Sequence, residues 1–183
     1  MSDAEAYLAI AEIDVPIIGA LRGMGFFDKP ASKSHHLACD GGLALHSANV
    51  TRRLVKLTNA LDVKWIRAEA APYVVGMLHD LVKCICYRMK GRDTSGRPEW
   101  KYVQPVYPGH GVCSVMMATE LGICLFPDEI AAITYHMGTF GIGKEYTEKE
   151  FDAAMKLYAP QIIATHTADW YACRVDEEGE VKS

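Results

Sequence analysis

A chain of 183 residues, half of them apolar and 23% charged, has enough apolar content to bury a core and is wrong for a disordered polymer. Its net charge of −4 excludes a general attraction for nucleic acid, so a polyanionic ligand needs a local basic patch or a cation to receive it. No apolar run approaches the ~20 residues that span a bilayer, and Met1-Ser2-Asp3-Ala4-Glu5 lacks the basic-then-apolar order of a signal peptide. The expectation is a cytoplasmic protein without a membrane partner. The six cysteines include one close pair, Cys84-x-Cys86, which fits neither a zinc ribbon nor a redox CxxC motif. In a reducing compartment they read as small buried hydrophobes.

Residues 3–12 and 15–25 carry apolar positions at helical spacing, with Pro16 suited to a first turn. A polar loop follows over 26–36, holding Lys29, Lys33, His35 and His36. It reads as a solvated connector or as a supply of ligand-type groups. From Gly41-Gly42 onward, Leu43, His46, Val50, Leu54 and Leu57 share one helical face, which points His46 inward as a satisfied core residue or a ligand. The next helix is predicted from about Trp65 to Leu81, burying Ile66, Ala70, Tyr73, Val74, Met77 and Leu78 and delivering His79-Asp80 at its end.

Residues 83–108 break the α pattern. Cys84 to Met89 and Trp100 to Gln104 flank the turn-like Gly91-Arg92-Asp93-Thr94-Ser95-Gly96-Arg97-Pro98, which predicts a β-hairpin or flap with Cys84 and Cys86 on one strand face. Lys90, Arg92, Arg97 and Lys101, with Tyr87, Trp100, Tyr102 and Tyr107, either contact a phosphate and a base or form a solvated hairpin. A helix is predicted from His110 with Val112, Val115, Met116, Thr119 and Leu121. Another covers about 128–137, with Ile130, Ile133 and His136 on one side. Thr147 to Glu150 opens a helix through Leu157 with a capping-box pattern. Pro160 then starts the last, Gln161 to about Cys173, which sets Asp169 among Ile162, Thr165, Ala168 and Ala172. The acidic tail, 174–183, reads as a frayed solvated end. The fold class is all-α: a bundle of about seven helices with a small hairpin insertion, expected as a single domain over 1–183.

His46, His79-Asp80, His110, His136 and Asp169 lie on, or at the ends of, different predicted helices. Burying so many polar groups costs several kcal/mol unless each is paired or holds an ion, and a bundle can gather ligands from several helices around one point. Mixed imidazole and carboxylate donors suit Fe, Mn, Co, Ni or Zn, with Mg also conceivable. With no cysteine in the set, a structural zinc site is disfavoured.

The order of these residues resembles the HD-domain metal-dependent phosphohydrolases, whose pattern is His, His-Asp and a distal Asp, with two further histidines in binuclear members. Gly41-Gly42-Leu43-Ala44-Leu45-His46-Ser47 resembles the family's GGLxxHS segment, and His79-Asp80-Leu81-Val82-Lys83 its HDxxK. Gly109-His110-Gly111, Tyr135-His136-Met137-Gly138 and Ala168-Asp169 look like the later motifs, so the likeness covers about residues 26–172. Pro30-Ala31-Ser32-Lys33-Ser34-His35-His36 is similar to the opening motif of HD 3′–5′ exoribonucleases, HD relaxases and phage-like HD hydrolases. The resemblance implies an HD-domain bundle in which His46, His79, Asp80 and Asp169 hold one ion, and Asp80 bridges to a second held by His110 and His136.

The activity implied is hydrolysis of a phosphoester of a nucleotide or oligonucleotide by a metal-activated water. Asp80 and Lys83 serve the chemistry, while Lys33, His36 and Lys83 receive the phosphate. Lys83 also reads as a surface lysine at a helix C-terminus. His35 and His166 are left as structural or solvent histidines. Two other readings stand beside this one: a 3′–5′ exonuclease-like phosphodiesterase on single-stranded RNA or DNA, and a non-catalytic regulator that binds metal and nucleotide. The segment before Phe26 is too short for the exonucleases' extra β-barrel. The partner is accordingly a small nucleotide or a short single-stranded end, and homo-oligomerisation stays open.

Overall fold

The computed structural model describes residues 2–104 and 109–178. Tyr107 of the expected flap and residues 179–183 of the acidic tail lie outside these described residues. The chain is mostly helical with one two-stranded sheet. None of the described helices is long and apolar enough to cross a membrane.

Helix α1 (Asp3–Ile10) opens on a capping box in which Ser2 and Glu5 satisfy each other's backbone N–H groups, and α2 (Val15–Gly23) carries Pro16 in its first turn. Helix α3 (Gly42–Ala60) is the spine, burying Leu43, His46, Val50 and Leu54. It packs on α4 (Ala71–Leu78) and on α8 (Glu148–Tyr171). Gly41, with φ 76°, turns the chain into α3. A Cβ on Gly42 would stand 2.1 Å from the Leu37 carbonyl, so only glycine lets the 31–37 loop press against the helix start.

Helix α4 begins later than the periodicity predicts. Pro72 sits in its first turn, where a residue without an N–H is tolerated, and 68–70 form a 3₁₀ turn. Ile66, expected on the buried face, is 56% exposed; its N–H donates to Asp128 Oδ2 at 2.7 Å. The strand expected from Cys84 is displaced as well. Backbone bonds Lys83 N–H to Asp80 O and Cys84 N–H to Leu81 O continue the helical turns, so α5 (Lys83–Cys86) precedes β1 (Tyr87–Arg92). Cys84 and Cys86 are buried nonetheless. Strand β1 pairs antiparallel with β2 (Pro98–Tyr102), Tyr87 facing Tyr102, and Trp100 anchors the hairpin in a small cluster with Val82, Cys86 and Cys113.

Helix α6 (His110–Glu120) buries its small residues Gly111, Cys113, Ser114 and Ala118; of the expected face, Val115 and Leu121 pack partly buried against the core, Val112 and Met116 are half-buried and Thr119 is exposed. The reason is proximity to α7 (Pro127–Thr134), where a Cβ on Gly111 would meet Thr134 O at 2.4 Å. In α7, Ala131, Ala132 and Ile133 face the core and Ile130 faces solvent. The two helices expected on either side of Pro160 join as α8, kinked at Tyr158 (φ −132°, ψ 25°). A π-type turn, Ala172–Asp176, follows. The tail is not a frayed solvated end up to this point: Arg53 Nε donates to Asp176 Oδ2 at 2.8 Å and Glu177 is fully buried. Of the cysteines expected to be buried, Cys39 and Cys124 are exposed and Cys173 is half-buried.

The close approach of α6 to α7 has a measurable consequence. Gly111→Ala should lower unfolding free energy by about 1–3 kcal/mol or more, because the colliding atom is backbone. Gly19→Ala, mid-α2 with nothing within 4 Å, should instead stabilise by about 0.4–1 kcal/mol. Urea unfolding of the two variants checks both signs.

Candidate metal centre

His46 lies in the second turn of α3, and His79 and Asp80 continue the end of α4. A Cβ on Gly76 would come within 2.4 Å of Thr51 Oγ1, so α3 and α4 approach closely enough to face His46 with His79. His110 opens α6 after Gly109 (φ 74°), while His136 follows the end of α7, the Gly111 contact holding the two together. Asp169 comes from the C-terminal half of α8. The structure thus gathers all six predicted ligand residues from five places.

Each of the four imidazoles is oriented through Nδ1. His79 Nδ1–H donates to Gly76 O at 2.9 Å, and His136 Nδ1–H to Ile133 O at 2.7 Å. His46 Nδ1 meets Glu177 Oε1 at 3.1 Å and His110 Nδ1 meets Glu145 Oε1 at 2.7 Å. All four Nε2 atoms therefore turn to the same interior, the arrangement in which an outer partner fixes the tautomer of a metal-binding histidine. His46 Nε2 faces His79 Nε2 at 3.3 Å, and His110 Nε2 faces His136 Nε2 at 2.9 Å.

Three groups of the described residues could each hold a metal ion: first His46, His79 and Asp169, second Asp80, His110 and His136, and third His36, His46, Cys173 and Glu177. Asp80 stands between the first two. Its Oδ2 is 3.3 Å from His79 Nε2 and 3.5 Å from His46 Nε2, whereas Oδ1 is 3.6 Å from His110 Nε2 and 3.8 Å from His136 Nε2. Asp169 Oδ1 completes the first group, 3.3 Å from His46 Nε2 and 4.0 Å from His79 Nε2. Ligands about 2.1 Å from a shared ion stand about 3–3.5 Å apart at right or tetrahedral angles, close to most of these separations.

Facing acceptors repel unless a proton or a cation lies between them. A proton shared by His110 and His136 would leave buried Asp80 Oδ1 without a hydrogen-bond partner, as it stands here. A cation at the same point satisfies both rings and the carboxylate, so the donor set fits a metal.

The charges agree with that reading. Burial works to raise the Asp80 pKa, but Lys83, His79 and His46 hold it well below the usual carboxylate range. Asp169 is likewise lowered, His46 and His79 overcoming burial. Burial, His110 and His79 bring His136 down to about 4, the neutral form that ligates. At His46 burial opposes protonation, yet Asp169, Asp80 and Glu177 lift the pKa well above its ordinary value, marking a point that favours positive charge.

A cavity of about 700 Å³ opens onto Asp80, His110, His136 and Asp169. Lys83 lines it with Nζ 2.6 Å from Asp80 Oδ2; it starts a helical turn beside the carboxylate and is not a surface lysine at a helix C-terminus. His36 lines the cavity too, its ring 5.1 Å from that of His46. Ser32 bonds to the His35 N–H and the His36 carbonyl, which fixes this part of the loop. Lys33, expected beside His36 as a phosphate contact, is exposed and outside the lining, because the tight 31–37 loop turns it outward. His35 and His166, expected to be structural or solvent groups, both line the cavity, and His166 Nδ1–H donates to His136 O at 2.7 Å. None of the described strand residues lines it; Arg92 instead pairs with Asp40 at 2.5 Å.

Sequence reasoning missed Glu145, Arg174 and Glu177. For Glu177 a signal existed: Asp169, Cys173 and Glu177 repeat at i, i+4 and i+8, which continues the ligand-bearing face of α8 into the tail. Comparison of the chain with protein-family models, curated proteins and solved structures finds no match.

Chelator-stripped protein should gain thermal stability on adding Mn²⁺. At free cation a hundred times Kd the increment is about 2.7 kcal/mol. The melting temperature followed by circular dichroism measures it, and His79→Ala should reduce the gain.

Proposed function

We propose that the chain is an HD-domain metal-dependent phosphohydrolase acting on a phosphoester of a nucleotide or an oligonucleotide end. The observation that carries the reading is the set of four imidazoles tied through Nδ1, their Nε2 atoms converging with Asp80 and Asp169 at the floor of one cavity. His46, His79 and Asp169 with Asp80 Oδ2 would hold one divalent transition ion, and Asp80 Oδ1 with His110 and His136 a second. Bound there, such ions polarise a phosphoryl oxygen and lower the pKa of water towards neutrality.

The chain's own groups supply the rest. Lys83 stays protonated: burial acts to lower its pKa, but Asp80 holds it above the ordinary lysine value. Its ammonium presents a fixed positive charge to a phosphate on the cavity wall. Glu145 steadies His110, whose pKa it raises against the opposing effect of burial, so that Nε2 keeps its aim at Asp80. Phe140 and Trp170, 60% and 57% exposed, stand in the lining with His166, whose ring lies 6.2 Å from that of Phe140. Large apolar faces left open at a polar cavity suit a planar ring such as a nucleobase. Arg174 stands in the same lining 3.9 Å from Glu178, which offsets its charge.

Mn²⁺-loaded protein should release phosphate or mononucleotides from a panel of nucleoside monophosphates, dinucleotides and short single-stranded RNA and DNA. Asp80→Asn should lower that rate about 10²–10³-fold or more with the helical circular-dichroism spectrum retained. Nucleotide binding without turnover across the panel would sink the enzymatic reading in favour of a regulator. Trp170→Ala should raise KM for ring-bearing substrates more than it lowers kcat.

A further inference from the structure

The tail brings a buried carboxylate to a histidine 131 residues earlier in the sequence. Glu177 is 0% exposed. It accepts from His46 Nδ1–H at 3.1 Å and from Asn49 Nδ2–H at 3.0 Å, both donors lying on α3. One residue before it, Asp176 takes a two-pronged bond from Arg53, whose guanidinium also lies 4.3 Å from the centre of the Tyr171 ring. The Glu177 N–H returns to Ala172 O at 3.1 Å, the wide turn of a π-type helix that redirects the chain onto α3. The polar contacts of this strap run to α3, to its own helix and, from Cys173 Sγ, to His36 Nε2 at 3.5 Å in the 31–37 loop.

We propose that Glu177 is a positioning residue for His46, and that docking of the 172–177 strap on α3 is thermodynamically linked to divalent-cation binding. The proposal rests on the metal-centre reading and is independent of the reaction catalysed. A carboxylate on Nδ1–H fixes the tautomer, turns Nε2 towards His79 and Asp169, and makes the ring a stronger donor. Linkage is reciprocal: if the docked strap raises cation affinity, the bound cation must hold the strap down by the same factor. Arg53 extends the effect beyond the site, because it clamps the strap without touching any proposed ligand.

The test is Mn²⁺ affinity of the chelator-stripped 183-residue chain by titration calorimetry, together with hydrogen–deuterium exchange of amides 173–177. Glu177→Ala should weaken Mn²⁺ binding about 10–100-fold. Glu177→Gln, whose amide oxygen still accepts from Nδ1–H, should recover part of that loss. Arg53→Ala should weaken binding less than Glu177→Ala does. In the wild-type protein Mn²⁺ should slow exchange over 173–177, a readout that needs no variant to fold and that a merely structural contact would not move. Wild-type Mn²⁺ affinity in folded Glu177→Gln and Glu177→Ala, or strap exchange indifferent to Mn²⁺, overturns the proposal while leaving the metal centre standing. A wild-type chain that binds no divalent cation overturns both.

Discussion

The burial of Asp80 is the constraint on which the rest of the site depends. An ionised carboxylate withdrawn from water costs several kcal/mol unless its charge is matched on every side. Here Lys83, His46 and His79 surround one oxygen, while His110 and His136 stand before the other. Those five groups come from α3, the end of α4, α5, α6 and the end of α7, so satisfying one carboxylate obliges most of the helices to meet at one place. The oxygen facing His110 and His136 is the part of the arrangement that protein atoms leave unmatched.

That meeting is made possible by removing side chains where backbones touch. Gly76 lets α4 lie against Thr51 of α3, and Gly111 lets α6 lie against the last carbonyls of α7. Each contact sits within three residues of a histidine of the candidate metal centre. Helices bearing larger residues there would stand further apart, and imidazole Nε2 atoms now about 3 Å from their partners would lose reach. Glycine thus sets the separation of these imidazoles from outside the cluster.

How far the site was legible follows from the same physics. His46, His79, Asp80, His110, His136 and Asp169 were readable because polar residues stood on apolar faces or at helix ends, where burial demands a reason. The inward face of α6 was not, since an apolar-periodicity reading ranks Val112 and Met116 above Gly111 and Ser114, whereas proximity to α7 admits only the small residues. The start of α4 was misplaced because Pro72 governs it locally and the apolar pattern runs on past it. Glu177 escaped because a run of acidic residues reads as solvated until one of them is seen to meet a buried imidazole and an amide. Lys33 and His36 share one loop, yet its tight turn brings His36 to the cavity and leaves Lys33 exposed outside it. Spacing along a loop carries no such information.

The strap carries a consequence for how the chain reaches this state. The separation of His46 from Glu177 means that this contact closes a loop of most of the chain, and such closure is entropically costly before its contacts reward it. Local helices and the α3–α4 hairpin can form early, because they ask for little loop entropy. A cation would meet this complete set of oriented side chains only once the 172–177 strap has been brought onto α3. A cation bound at this site would therefore act on the fold as a late staple and not as a nucleus around which the chain condenses.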